Sequence, residues 1–194
     1  MQKLTRTDLF SLETYAEKRP EFRSQVMAHK KKRHVQLGDH ATLSFEDRMT
    51  IQYQVQEMLR IEKGGAEQLA DELAAYDPMV PKGHELTITL LFEVEDPVRR
   101  DAFLRTIGGV EDHVWLQIGD DRIAARAEGD VVRTRESDNK ASAVHFLHFD
   151  LTQAQVEAWQ SGQGQVMILI DHPNYGHAAL INDEARAFLA RDCF

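Results

Sequence analysis

Residues 77–94 read DPMVPKGHELTITLLFEV, and the change of rhythm inside this stretch decides the fold class. Asp77-Pro78 and Pro81 break the chain, because proline lacks a backbone donor and biases the residue before it away from helix. Beyond the break, Leu86, Ile88, Leu90, Phe92 and Val94 recur at every second position, the period of a strand with one buried face. Before it the period is helical: Ala66, Leu69, Ala70, Leu73 and Ala74 fall on one stripe of a helix over 66–75.

Working outward, Thr5 with Asp8 opens a short helix to about Ala16. Pro20 suits the first turn of a second helix, which carries Phe22, Val26 and His29 on one face. Two short strands, 34–37 and 41–45, flank Gly38-Asp39. Ser44 and Asp47 resemble a cap for a long helix over 45–62, stopped by Gly64-Gly65. Towards the C-terminus, Asp96-Pro97 starts a helix to about Ile107, and 113–118 with 122–127 reads as a hairpin. Residues 128–142 are polar and read as an exposed loop. A strand over 144–149, a helix over 153–160 behind the Thr152/Gln155 capping box, a strand over 166–170 and a helix over 183–191 capped by Asn182 follow. The expectation is an α+β fold, a helical N-terminal half packed with a mixed or mainly antiparallel sheet from the C-terminal half. Residues 1–194 are expected to form one domain, helix-rich over 1–77 and strand-rich over 83–194.

Composition excludes several classes. Hydrophobic residues make up 42% and charged residues 28% of the 194, as in soluble globular proteins. No window approaches the roughly 18 consecutive apolar residues of a membrane helix, and no signal-peptide pattern opens the chain, so a cytoplasmic location and no membrane are expected. The single cysteine, Cys193, excludes an intramolecular disulfide and an iron–sulfur cluster held by this chain's cysteines alone. Its place next to last reads as frayed and incidental. Residues 1–34 hold nine Lys/Arg against four Asp/Glu, a balance of +5; the remainder holds 14 against 28, a balance of −14, giving −9 together. An acidic body with one basic patch argues against nucleic acid and fits a small anionic ligand, an acidic partner face, or a second copy in a homo-oligomer.

Functional side chains are densest in 28–60, AHKKKRHVQLGDHATLSFEDRMTIQYQVQEMLR. The run Lys30 to Arg33 has two readings: a solvated helix end favoured by the macrodipole, or an anion site with Arg33 as a bidentate fork. His29, on the inward stripe, is either a hydrogen-bonded core residue or a ligand. Glu46, Thr50, Tyr53 and Glu57 share one polar stripe of the helix, opposite Ile51, Val55, Met58 and Leu59. Glu46 and Glu57 stand about 16 Å apart at 1.5 Å per residue, too far for a catalytic pair. The candidate ligand-binding set is His29, Lys31, Arg33, Glu46, Tyr53 and Glu57. There is no HExxH, no Glu-x-x-His helix and no CxxC. A divalent metal such as iron or zinc would draw on His29, His40, Glu57, His145 and His172. His145 and His172 meet only if their strands are antiparallel neighbours; a parallel crossover would leave them about 20 Å apart. With no G-x-S-x-G and no glycine-rich phosphate loop, no catalytic residue is assigned. Three readings stay open: an accessory or ligand-binding protein with an anion or partner site on 28–60, a metal-dependent enzyme, and a structural oligomeric module.

The block His29-Lys-Lys-x-Arg33, Leu37-Gly38-x-His40, Phe45-Glu-Asp47 and Tyr53-Gln-x-Gln-Glu-Met-Leu-Arg60 resembles the signature of an uncharacterised bacterial family, a domain of unknown function. Lys140-Ala-Ser-Ala-Val-His-Phe-Leu147 and Asp171-His-Pro-x-Tyr175 extend the resemblance over nearly the whole chain. It departs at Ala141, where the family pattern has threonine, and at His148, where it has arginine, which puts any role for position 148 in doubt. The resemblance implies a setting beside rubrerythrin-like and iron–sulfur oxidoreductase proteins. It thus implies an accessory role in a redox or oxidative-stress system with a redox protein as partner, and it supplies no mechanism.

Overall fold

The computed structural model describes residues 3–129, 133–135 and 137–194. Of the loop expected over 128–142, residues 130–132 and 136 lie outside the described residues, as does the Ala66 side chain of the expected stripe. The order of elements is α1 (Leu12–Lys30), β1 (His34–Leu37), β2 (Ala41–Phe45), α2 (Arg48–Glu62), α3 (Gly65–Tyr76), β3 (Glu85–Phe92), α4 (Pro97–Thr106), β4 (Val114–Ile118), β5 (Asp121–Ala124), β6 (Arg126–Ala127), β7 (Thr134–Arg135), β8 (Lys140–Ala141), β9 (Val144–Asp150), α5 (Gln153–Gln160), β10 (Val166–His172), β11 (Tyr175–Ile181) and α6 (Asp183–Cys193). This is the expected α+β class, and its sheets are antiparallel.

One sheet has the order β1-β2-β3-β9-β6 and a second β11-β10-β4-β5, with β7 and β8 forming a separate ribbon. The period-two residues Leu86, Ile88, Leu90 and Phe92 share one buried cluster with Leu116, Ile118, Ile168 and Ile170 of the second sheet. Burial of each such side chain stabilises the fold by about 1.5–3 kcal/mol. The segment read as the return strand of a hairpin splits at Ala125: β5 pairs with β4, whereas β6 pairs with β9 of the other sheet. Strand β11 was not expected. It is an edge strand with mostly exposed positions and small residues, and its formation rests on antiparallel pairing with β10 from His172↔Tyr175 onwards. Pro173-Asn174 makes the turn between them.

The other face of the first sheet carries the helices. Ile51, Val55 and Leu59 of α2 cluster with Met79 and Val80, and Leu69, Leu73, Tyr76 and Phe146 pack against them. The polar stripe of α2 is not a solvent face, because it meets α1. Tyr53 lies 6.0 Å from the Phe22 ring, the Tyr15 hydroxyl donates to Glu57 at 2.6 Å, and Arg19 grips the same carboxylate at 2.8 and 2.8 Å. These contacts explain a second departure. The helix expected to restart at Pro20 is one continuous α1, capped by Ser11, with Pro20 inside it. Docking on α2 from both sides of the proline holds the helix across the lost backbone bond. A third departure is the start of α2: its N-cap is Asp47, while Ser44 belongs to β2. Glu46 therefore precedes the helix, its N–H bonded to the Thr87 carbonyl at 2.8 Å. Among the described residues no helix is long and apolar enough to cross a membrane.

Candidate functional site

Asp47 has two duties. As N-cap of α2 its Oδ1 accepts from the Thr50 N–H at 2.9 Å, and the Thr50 hydroxyl accepts from the Asp47 N–H at 2.9 Å. That orientation turns Oδ2 towards the end of α1, 2.5 Å from His29 Nε2 and 2.7 Å from Arg33 Nη2. The last turn of α6 brings Asp192 Oδ2 to 2.7 Å from the same Nη2. Arg33 Nε lies 2.8 Å from His29 Nε2. The Arg33 side chain is 0% exposed, against 7% for Asp47 and 22% for Asp192. A buried guanidinium thus bridges two carboxylates, one from the start of α2 and one from the end of α6. The Phe188 ring covers the group, 5.3 Å from both the His29 ring centre and the Arg33 guanidinium carbon.

His29 Nε2 faces an acceptor and a donor at once. A proton on Nε2 serves Asp47 and opposes the Arg33 N–H; a lone pair there serves Arg33 and opposes Asp47. His29, Asp47 and Asp192 each contribute one ligand-type atom, all within 4.8 Å of one another, the only such group of three among the described residues. They line a cavity of about 410 Å³ whose wall also includes Arg48, Met49 and Arg191. Cys193, also in its lining, is buried, 3.9 Å from Arg33 Nη1 and from the Glu46 carbonyl oxygen. Burial pushes its thiol up to about 11, so it is a packed, protonated residue and not the frayed one expected from its position.

The expected ligand-binding residues divide. His29 and Arg33 come together at this site. Lys31 is exposed beyond the end of α1. Glu46, although adjacent to Asp47, turns the other way and accepts from the Thr89 hydroxyl at 2.6 Å. Tyr53 packs on Phe22, and Glu57 is held by Arg19 and Tyr15; the Arg19 guanidinium brings the Glu57 carboxyl down to about 2.

Of the expected metal pool, only His29 joins the three-residue group. His40 packs on Phe103 with ring centres 5.0 Å apart. His145 is buried with Nε2 2.9 Å from the Ser142 carbonyl, and burial lowers its pKa. His172 donates from Nε2 to the Gly108 carbonyl at 3.2 Å and accepts at Nδ1 from Asn174 N–H. His145 and His172 sit in different sheets, so the pairing on which their meeting depended does not occur. Asp47 was legible only as a cap, and Asp192 carried no signal at all, since nothing local marks a C-terminal aspartate as the partner of an N-terminal histidine.

Residues 3–193 match the model of a family described as Protein of unknown function (DUF3501). The chain belongs to this family. The fold and the full-length sequence are similar to those in a crystal structure of a novel protein of unknown function from Burkholderia pseudomallei, 41% identical, with 100% of each chain covered and a TM-score of 0.90. No curated protein matches the sequence. The full-length likeness expected from the quoted motifs is thereby shown.

Proposed function

We propose that this protein is a binding protein whose functional site is the His29–Asp47–Asp192 group, and that the site takes a divalent cation. The observation that supports the reading is the convergence of one imidazole nitrogen and two carboxylate oxygens within 4.8 Å at the wall of a cavity. One nitrogen and two hard oxygens suit zinc, iron(II) or manganese. Three protein ligands also leave coordination positions for water or a molecule entering from the cavity, as catalytic metal sites do. Arg33, bonded to both carboxylates, would hold them in position, the role that outer-shell groups play at metal centres.

A second reading is favoured by the position of Arg33 Nη2, 2.7 Å from both carboxylates: the group is a lock that fastens α6 to α1 and α2. One titration separates the two. Untagged protein is analysed for metals, then titrated with Zn(II), Mn(II) and Fe(II) under calorimetry, alongside Asp192→Asn and His29→Gln. One equivalent of cation, with affinity reduced at least tenfold in both variants, is the expected result. No saturable binding, or equal affinity in the variants, leaves only the lock.

A further inference from the structure

Adjacent carboxylates in the Glu46-Asp47 pair open on different cavities. The one that Glu46 lines, about 450 Å³, lies between the helices and the outer face of the first sheet. Its floor is a registered row across four strands: His34 of β1 faces Ser44 of β2, Ser44 faces Thr89 of β3, and Thr89 faces Phe146 of β9. Met27 and Lys30 of α1, Ile51 and Gln54 of α2, and Tyr76 form the roof. A volume of this size lies within the roughly 300–1,000 Å³ of small-molecule sites.

Two buried polar groups in it have hydrogen-bonding capacity to spare. Glu46 is 5% exposed, yet its carboxylate, able to accept four hydrogen bonds, takes one from Thr89, and no ion pair within 4.0 Å is formed by it among the described residues. Ser44 is 4% exposed, and its hydroxyl oxygen is buried with no hydrogen-bond partner among the described residues. Buried polar groups are ordinarily satisfied, so the Ser44 oxygen is placed to meet a partner, and the Glu46 carboxylate beside it can accept further donors. Met27, Ile51, Leu91 and Phe146 give the cavity an apolar part beside the polar Thr50, Gln54 and Lys30. Tyr76 and Phe146 make an edge-to-face pair at 6.3 Å, which offers a π surface to a cation.

We propose that this cavity binds a small primary amine with an apolar or aromatic body, its ammonium held by Glu46 and Ser44 and its body laid between Ile51, Leu91 and Phe146. A primary ammonium has three donors, matching a carboxylate, a hydroxyl and a third acceptor at the mouth. His34, on the exposed edge strand β1, lines the same cavity and can supply that third acceptor from a ring nitrogen. Half-buried Lys30 also lines this cavity. The amine site uses the carboxylate that the cation site does not, so it stands whatever the cation titration gives.

Phenethylamine, phenethyl alcohol and 3-phenylpropionate serve as probes, followed by saturation-transfer NMR and calorimetry. Phenethylamine is expected to bind once and saturably, and to lose at least tenfold in affinity in Glu46→Gln, which still binds Zn(II) like the parent. The alcohol should bind more weakly and the acid should not compete. If Glu46→Gln does not fold, Val144→Trp at the exposed rim should close the mouth and abolish amine binding with no loss of melting temperature. Absence of saturable amine binding, equal binding by Glu46→Gln or Val144→Trp, or preference for the acid overturns the inference.

Discussion

Replacing Arg33 by methionine tests the reasoning about the polar group most directly. Methionine keeps most of the side chain's length and removes the charge together with the guanidinium's hydrogen bonds. Asp47 and Asp192, each 2.7 Å from Arg33 Nη2, would then lose the cation that bridges them. Breaking a buried ion pair by removing one partner costs about 3–5 kcal/mol. Asp192, at 22% exposure, can recruit water, which places the loss near the lower end, about 3 kcal/mol. For a chain of this length about 1 kcal/mol corresponds to roughly 2–4 °C in melting temperature, so a fall of about 6–12 °C is expected. Circular dichroism melts at neutral pH measure it. Adding Asp192→Asn to Arg33→Met should recover some of the loss, because it removes one of the two unpaired charges. In the cation reading, Zn(II) also recovers some of it by binding the folded state. A variant that melts within about 2 °C of the parent, less than the shift of 1 kcal/mol, would refute the claim that this guanidinium holds the carboxylates together. A double variant no more stable than Arg33→Met alone would refute the repulsion argument.

Glu57→Gln should weaken the clasp between α1 and α2 in a pH-dependent way. The folded carboxyl sits near 2 against an ordinary 4.5, so its contribution is full above about pH 4.5 and disappears as pH falls towards 2. The displacement corresponds to roughly 3 kcal/mol, reduced to about 1–2 kcal/mol by the solvent that reaches Arg19. Urea denaturation of parent and variant should differ at about pH 7 and converge near pH 2.5; a gap unchanged with pH contradicts the assignment. Tyr175→Phe should cost about 2 kcal/mol, because the hydroxyl accepts from the His40 and Ala41 N–H groups at 3.1 and 3.0 Å and donates to the Leu37 carbonyl at 2.5 Å. Hydrogen exchange at the Ala41 amide should accelerate in that variant, and unchanged protection there would show that the β1–β2 turn is held by other contacts.

What the amino-acid order determined by itself was local. The alternation over 86–92 set a strand with its larger apolar residues on one face, the Thr152/Gln155 box set α5 to the residue, and Asn182 set the start of α6. Each is a relation between residues two to four positions apart, which short-range sterics and capping enforce without the rest of the chain. Strand β11 escaped because its small, exposed residues have little strand preference of their own, and pairing with β10 supplies what they lack. The continuity of α1 through Pro20 and the burial of the α2 polar stripe were likewise decided by two helices docking. The candidate site belongs wholly to this second kind. Sequence marked His29, Arg33 and Glu46 as candidates and Asp47 as a cap, but only the docking of α6 brought Asp192 to Arg33. Only the N-cap geometry of α2 sent Asp47 towards one cavity while Glu46 faced another. Tertiary packing alone relates side chains from opposite ends of a chain, because no local force acts across that distance.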